Sequence, residues 1–401
     1  MDDCLDVLII GGGLVGASLA IALDGAGLRV ALAEAAPPRL DAEPVYDERN
    51  LALARASVNA LQALGVFDDA MPSTAIRRIH VSRRGDFGAV RLDAAALGLP
   101  PFGAVVPARE LGNALVRRLD RCASLQRLAP ARAVAIAAGA EAVQVEFDAG
   151  GTPRRLCTRL LVGADGAGSF VRAACGIQAL RHDYDQSALV TTVTTERPLE
   201  GQAWERFTDS GPVALLPLGD RRAGLVLCVP RAEADGVAAL DDEAFLAFVH
   251  ERFGWRAGRL SRPGRRQPFP LLRVLAAQTT APRTVLVGNA AQTVHPLGAQ
   301  GFNLGLRDAL TLSELLRAQP GGDPGSADLL ARHAVRRQPD RDATTAFSDD
   351  LVRLMGNPFL PLRLARSLGF HALDRLPPLR RRFALRGMGW RGDAPATGLQ
   401  P

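Results

Sequence analysis

DVLIIGGGLVGASLAIAL, residues 6–23, is the stretch that decides the fold. Asp6–Ile10 is a short, nearly unbroken apolar run, as expected of a parallel strand buried on both faces. Gly11, Gly13 and Gly16 then form G-x-G-x-x-G, and Ala17–Leu23 reads as a helix ended by Gly25 and Gly27. Val30–Ala33 is a second buried strand, closed by Glu34. The first glycine permits a tight turn, the second lets backbone amides approach a pyrophosphate, and the third lets helix and strand pack closely. The helix start offers free N–H groups and a positive dipole end to phosphates. Glu34 stands where a carboxylate accepts hydrogen bonds from an adenosine ribose. A glycine fingerprint alone also fits a turn without a ligand. Strand, fingerprint, helix, strand and acid in this order specify a dinucleotide site.

Outward from that unit, Leu51–Leu64 has helical spacing, and Val81–Leu92 and Ala133–Phe147 read as extended or hairpin segments. Arg109–Leu119 reads as a helix beginning after Pro107. Leu160–Gly163 is a buried strand running into Ala164-Asp165-Gly166. From Ser187 the pattern changes. Ala188–Thr194, Ala203–Thr208, Val213–Leu216 and Ala223–Val229 are short β-rich runs, which predict a mostly antiparallel sheet. Within it, alternation sets Glu205 and Phe207 on one face and Trp204, Arg206 and Thr208 on the other. The aromatics read first as core and second as pocket lining. Asp242–Phe253 reads as a helix, Thr284–Gly288 as a strand, and Asn303–Arg317 as a helix after a glycine-rich turn.

The expected architecture is therefore α/β: a Rossmann-like domain assembled from 1–75, 100–180 and 280–325, an inserted β-sheet substrate domain from 76–99 and 181–279, and a helical region over 326–401. In that last region Leu360, Leu364, Leu368, Ala372 and Leu376 recur every fourth residue, with Arg363, Arg366, His371 and Arg375 between them. Such a basic amphipathic helix packs its apolar stripe onto the sheet domain, or meets anionic lipid or a partner protein.

Composition narrows the chemistry. At 401 residues the chain needs two or three units, and 47% apolar with 22% charged residues is ordinary for a globular protein. The net charge of +6 comes from 48 basic residues, all arginine, scattered among 42 acids with few aromatics, which argues against nucleic acid. The absence of lysine excludes Schiff-base chemistry, a phosphate-loop lysine and a lysine base. Cys4, Cys122, Cys157, Cys175 and Cys228 lack Cys-x-x-Cys or zinc spacing. They read as isolated thiols in a reducing compartment, without a disulfide framework. The six histidines have no metal-like spacing. Asp2, Asp3 and Asp6 stand where a signal peptide is positive, and no uncharged run reaches the roughly 20 residues that span a bilayer. A cytoplasmic location, at most peripheral at the inner face of a membrane, is expected.

Two further segments select the dinucleotide. Gly163-Ala164-Asp165-Gly166 ends one buried strand. Gly288-Asn289-Ala290-Ala291 ends another and continues through His295-Pro296-Leu297-Gly298-Ala299-Gln300-Gly301-Phe302-Asn303. With the N-terminal fingerprint, these segments resemble the FAD-dependent aromatic-ring hydroxylases, the group that includes para-hydroxybenzoate hydroxylase. Within that group the chain is most similar to ubiquinone-biosynthesis hydroxylases acting on polyprenylated phenols. Val287–Asp308, and Asp47-Glu48-Arg49 leading into Leu51-Ala52-Leu53, are similar to the 2-polyprenyl-6-methoxyphenol hydroxylases in particular.

The resemblance implies that Gly11, Gly13, Gly16 and Glu34 hold the ADP half of FAD. It implies that Arg49 and Arg109 reach toward the cofactor, that Asp165 serves FAD and the nicotinamide, and that Gly288 and Asn289 meet the ribityl–phosphate region. Asn289 departs from the aspartate usual in the wider group, keeping an acceptor while losing charge. Pro296, Gly298, Gly301 and Asn303 belong to a helix start beneath the flavin ring, whose N–H groups favour negative charge there. His295 is a candidate general base, although a histidine shaping the turn is the preferred reading, because a phenol carries its own activating oxygen.

The implied reaction uses FAD, NAD(P)H as co-substrate without a Rossmann domain of its own, and dioxygen. A flavin hydroperoxide then hydroxylates a polyprenylated phenol. Two rivals are a prenyl reductase on the same fold and a non-catalytic flavin-fold subunit of a ubiquinone-synthesis complex. A flavin-dependent halogenase is expected to need a lysine, and this chain has none.

Overall fold

The computed structural model describes residues 4–36 and 49–390. Leu5–Ile10 is an interior strand of an eight-stranded sheet. It pairs in parallel with Val30–Ala33 and with Pro153–Gly163, in registers Val7↔Val30 and Val7↔Leu160. Leu125–Leu128 and Thr284–Leu286 extend the sheet outward on either side, also in parallel. Val7 and Ile9 pack with Leu19, Leu111 and Leu306 on one face. Leu8 and Ile10 pack with Val171 and Phe147 on the other. Both faces are covered, which is why the strand sequence is continuously apolar.

The registers also bring distant motifs together. Ile10 pairs with Gly163 and with Ala33, and Gly163 pairs with Leu286. All four strands therefore end at one edge, and the loops starting at Gly11, Ala164 and Val287 open side by side.

The second sheet has nine strands. From one edge these are Gln292–Thr293, Gln267–Ala276, Ala179–Thr195, Arg222–Pro230, Gly211–Pro217, Gln202–Thr208, Arg78–Arg83 and Ala89–Asp93, with Leu260–Ser261 paired onto Ala179–Thr195. Pairing is antiparallel except between Gln202–Thr208 and Arg78–Arg83. One face buries Leu189, Val213, Leu225 and Leu227 against Phe245 and Val249 of the helix Asp242–Phe253. A third, three-stranded sheet of Asn50–Ala54, Gly103–Pro107 and Thr74–Ile76 completes the β structure of the described residues. Ala327–Gly356, Leu360–Arg375 and Pro377–Gly387 form the helical C-terminal region.

Three expectations are corrected. The helical spacing over Leu51–Leu64 belongs to a helix only from Arg55, because Asn50–Ala54 is captured by antiparallel pairing with Gly103–Pro107. The cysteines are not all isolated: Cys4 and Cys157 form a disulfide. The register Leu5↔Thr158 sets these two residues side by side on neighbouring strands, a proximity that their sequence separation conceals. Third, the leucine stripe of Leu360–Arg375 does not pack onto the sheet. The buried carboxylate of Asp86 accepts hydrogen bonds from Arg363 Nε at 3.0 Å and Arg366 Nε at 2.8 Å, drawing the arginine side of the helix inward with Phe370 and Leu373. Leu360, Leu364 and Leu368 are left exposed, Leu360 at 62% and Leu368 at 60%.

Candidate functional site

The glycine turn after Leu5–Ile10 divides into packing and open positions. Gly11 has φ +104°, and a Cβ there would stand 2.4 Å from the Ala164 carbonyl oxygen. A Cβ on Gly16 would stand 1.9 Å from the Gly11 carbonyl oxygen, while one on Gly13 would meet no protein atom within 4 Å. Gly11 and Gly16 let three backbones converge, and Gly13 faces open space. The helix Leu14–Ala22 has no side-chain cap and no acid in its first turn, so its leading N–H groups are unopposed. Glu34 Oε2 accepts the Gly12 N–H at 2.7 Å and Oε1 accepts that of Ala36 at 3.0 Å. Each oxygen keeps a lone pair for a hydroxyl donor.

The neighbouring loops are pinned from within. Asp165 accepts hydrogen bonds from Ser169 Oγ at 2.5 Å and from the Val171 N–H at 3.0 Å, so its carboxylate anchors the short helix Phe170–Ala174. Arg172 donates to the carbonyls of Ala167 and Ala290, each at 2.8 Å, and so ties the second loop to the third. The Gly288 N–H donates to Asp308 Oδ2 at 3.2 Å, and Gln292 Nε2 to the same oxygen at 2.5 Å. Asp308 in turn accepts from Arg337 Nε at 2.8 Å, and Asp340 accepts from Arg337 at 2.6 Å and from Arg307 Nε at 2.7 Å. Burial opposes the charge on Asp340, but the two guanidiniums overcome it and hold the carboxyl well below its ordinary range. This four-membered buried network fixes the turn beneath Asn289, which is itself exposed and makes no side-chain hydrogen bond among the described residues.

Asn303 is buried and spoken for by the strand Asn50–Ala54: its Oδ1 accepts the Ala54 N–H at 2.9 Å and its Nδ2 donates to the Ala52 carbonyl at 3.0 Å. The start of the helix Gln300–Arg317 is thereby held over that strand. Gly298 has φ +64°, and a Cβ on Gly301 would meet nothing within 4 Å. Pro296 is exposed at this turn. His295 is buried; its Nδ1 accepts the Leu297 N–H at 3.3 Å and its ring meets Tyr184 edge-on. Burial pulls its pKa down to about 4, so the ring is neutral at neutral pH. Arg49 is exposed, with its guanidinium carbon 5.8 Å from the centre of the Phe269 ring. The Ala108 N–H donates to the Arg49 carbonyl, which brings Arg49 and Arg109 together, although the Arg109 side chain turns to its neighbour Glu110. Asp47 and Glu48 lie outside the described residues.

Arg172, Asp308, Arg337 and Asp340 escaped the sequence reading. Arginine and aspartate are common in this chain, and only the folded pairing marks these four. The open space at Gly13, the uncapped helix start and the spare acceptors of Glu34 fit a dinucleotide's pyrophosphate and ribose.

Comparison with known proteins points the same way. Residues 4–348 match the model of a family described as FAD binding domain. Ubiquinone hydroxylase UbiL of Rhodospirillum rubrum is 38% identical over 394 residues, covering 97% of this chain and 90% of the relative. The 3-demethoxyubiquinol 3-hydroxylase of Escherichia coli is 34% identical over 391 residues, covering 96% and 98%. The crystal structure of p-nitrophenol 4-monooxygenase PnpA from Pseudomonas putida shares the fold, with a TM-score of 0.79 at 19% identity, covering 97% of this chain and 99% of that one.

Proposed function

This chain belongs to the FAD binding domain family and is an FAD-dependent hydroxylase, and we propose that it hydroxylates the aromatic ring of a polyprenylated phenol in ubiquinone biosynthesis, with NAD(P)H and dioxygen as co-substrates. The single observation that carries the cofactor reading is the convergence of the Gly11, Ala164 and Val287 loops at one sheet edge. In this reading Gly13 and the N–H groups of Leu14–Ala22 receive the pyrophosphate, and Glu34 receives the adenosine ribose. Arg49, Arg109, Asp165, Gly288 and Asn289 border the remainder, and the turn from Pro296 and Gly298 to Gly301 and Asn303 presents its N–H groups to the ring system. When bound, FAD supplies the redox and oxygen chemistry; the protein orients it, shields it and polarises its surroundings. Asn303 and the Asp308 network hold the two turns that do so.

The test is mass spectrometry of a polyprenylated phenol incubated with the protein, FAD, NAD(P)H and isotopically labelled dioxygen. One labelled oxygen in the ring is expected. A product that gains hydrogen instead establishes the reductase alternative, and failure of the purified protein to hold FAD establishes the non-catalytic one.

No helix among the described residues is long and apolar enough to cross a membrane. The substrate's tail nevertheless partitions into lipid, and the exposed leucines of Leu360–Arg375 form an apolar ridge continued by Phe359, Leu376 and Leu379. Exposed Arg375, Arg381 and Arg382 flank it. We infer that this ridge rests on an anionic membrane surface, where each arginine adds roughly 1 kcal/mol. Wild-type protein is expected to sediment with anionic vesicles and a Leu364→Asp/Leu368→Asp variant to stay in solution with its flavin. A wild-type protein that ignores the vesicles overturns this reading.

A further inference from the structure

The second sheet has a face that the helix Asp242–Phe253 does not cover. Its registers Glu205↔Val81, Glu205↔Ala214, Ala214↔Val226 and Val226↔Val190 line up one row of side chains on that face. Phe207, two residues along, packs against Leu297 and Met355, so this face is turned toward the Pro296–Asn303 segment. Gly224 lies on the same face, and a Cβ there would come within 2.8 Å of Asn50 Nδ2, which places the start of Asn50–Ala54 over the sheet. Yet Glu205, Ala214, Val226, Val190 and Phe269 all retain accessible surface, although they sit inside a nine-stranded sheet with a second layer across it. Their neighbours on the opposite face, Leu215, Leu225 and Leu227, retain none. From Val81 to Val190 that row is apolar but for one carboxyl, and Gln267 pairs with Val190 beyond it.

That carboxyl is Glu205. It makes no hydrogen bond or ion pair with any described residue, and burial pushes its pKa up to about 7. The charged and titratable groups on the surrounding elements are otherwise engaged. Arg83 is bonded to the Met355 carbonyl and to Asp209. Asp349 is held by Arg273 and Arg353. The Cys228 thiol is pushed up by burial and by Glu205 itself, and so stays neutral. Arg49 stands at the Phe269 end. A lone carboxyl in an apolar wall is unfavourable unless a ligand completes it.

We propose that Glu205 anchors the ring hydroxyl of the phenol substrate, accepting its O–H hydrogen bond and so setting which ring position faces the cofactor. This rests on the phenol hydroxylase reading above. A polyprenylated phenol is uncharged and its ring carries few donors, so one carboxylate acceptor in a largely apolar row matches it. A charge-assisted hydrogen bond of this kind separates a phenol from its methyl ether by about 10–100-fold.

The test measures Kd and KM on the FAD-loaded enzyme for a prenylated phenol and its O-methyl ether across pH 5–9. Wild type is expected to bind the phenol more tightly as pH rises through about 7 and to show no such step with the ether. Glu205→Gln keeps an acceptor without a titratable proton, so it flattens the pH step. Glu205→Leu removes the acceptor and brings phenol and ether to similar affinity, while flavin absorbance reports that both variants are folded. Wild type that hydroxylates the phenol, with both variants matching its pH profile and its phenol preference, overturns the anchor alone. Wild type that neither binds nor oxygenates any such phenol overturns the anchor together with the function it rests on.

Discussion

Two regions of this molecule bury carboxylates, and they do so in opposite ways. Beneath the Gly288 turn, Asp308 and Asp340 are met by Arg337 and Arg307 and by Gln292, leaving both carboxylates partnered. Inside the second sheet, Glu205 has no hydrogen-bond or ion-pair partner among the described residues. The same desolvation acts on both, but the arginines hold Asp340 ionised, whereas Glu205 moves toward its protonated form. A completed network is architecture, fixing helices Gln300–Arg317 and Ala327–Gly356 under a loop. An uncompleted carboxyl is a place kept for a ligand.

The contrast breaks most visibly at Asp340. Asp340→Ala leaves the buried Arg307 guanidinium without its carboxylate and Arg337 with Asp308 alone, and is expected to lower stability by about 3–5 kcal/mol, read from denaturant unfolding. Because the folded carboxyl titrates below its ordinary value near 3.8, its contribution is full above that pH and is lost as pH falls below it. An Asp340→Ala protein as stable as wild type would mean that the network is not structural.

A second contrast lies within the glycine turn. Gly16→Ala puts a methyl group 1.9 Å from the Gly11 carbonyl oxygen, so it distorts the turn and is expected to cost about 3 kcal/mol. Gly13→Ala meets no protein atom and is expected to fold with wild-type stability while binding FAD roughly tenfold more weakly. Equal effects of the two on folding would erase the distinction between packing and ligand-facing glycines.

Much of the first region was legible in the sequence because a backbone that must come close to something leaves glycine as its mark. Gly11 and Gly16 each sit where a Cβ would collide, Gly288 turns at φ +60° against Val15, and period-2 alternation already set Glu205 and Phe207 on one face. Pairings between common residues were not legible. Asp308 with Arg337, Arg172 across two loops, and Cys4 beside Cys157 depend on registers between segments far apart in the chain. The C-terminal helix shows a further limit. Its leucine spacing announced an apolar stripe, but one buried aspartate, Asp86, turned the arginines inward and the leucines out.

The smallest expected effect separates the two buried carboxylates most directly. Glu205 has a folded pKa near 7 against an ordinary 4.5, so its burial destabilises the fold progressively as pH rises between those values and fully above the upper one. Glu205→Gln removes that penalty. Unfolding free energies of wild type and Glu205→Gln, measured from pH 5 to pH 8 without substrate, are predicted to lie closest at the acid end. The gap should widen by about 1–2 kcal/mol in favour of the variant toward the alkaline end, less than the full shift because the Glu205 side chain keeps some accessible surface. Parallel curves across that range would show that Glu205 is solvated or paired in the native protein, and would contradict the account of an empty-handed carboxyl waiting for a phenol.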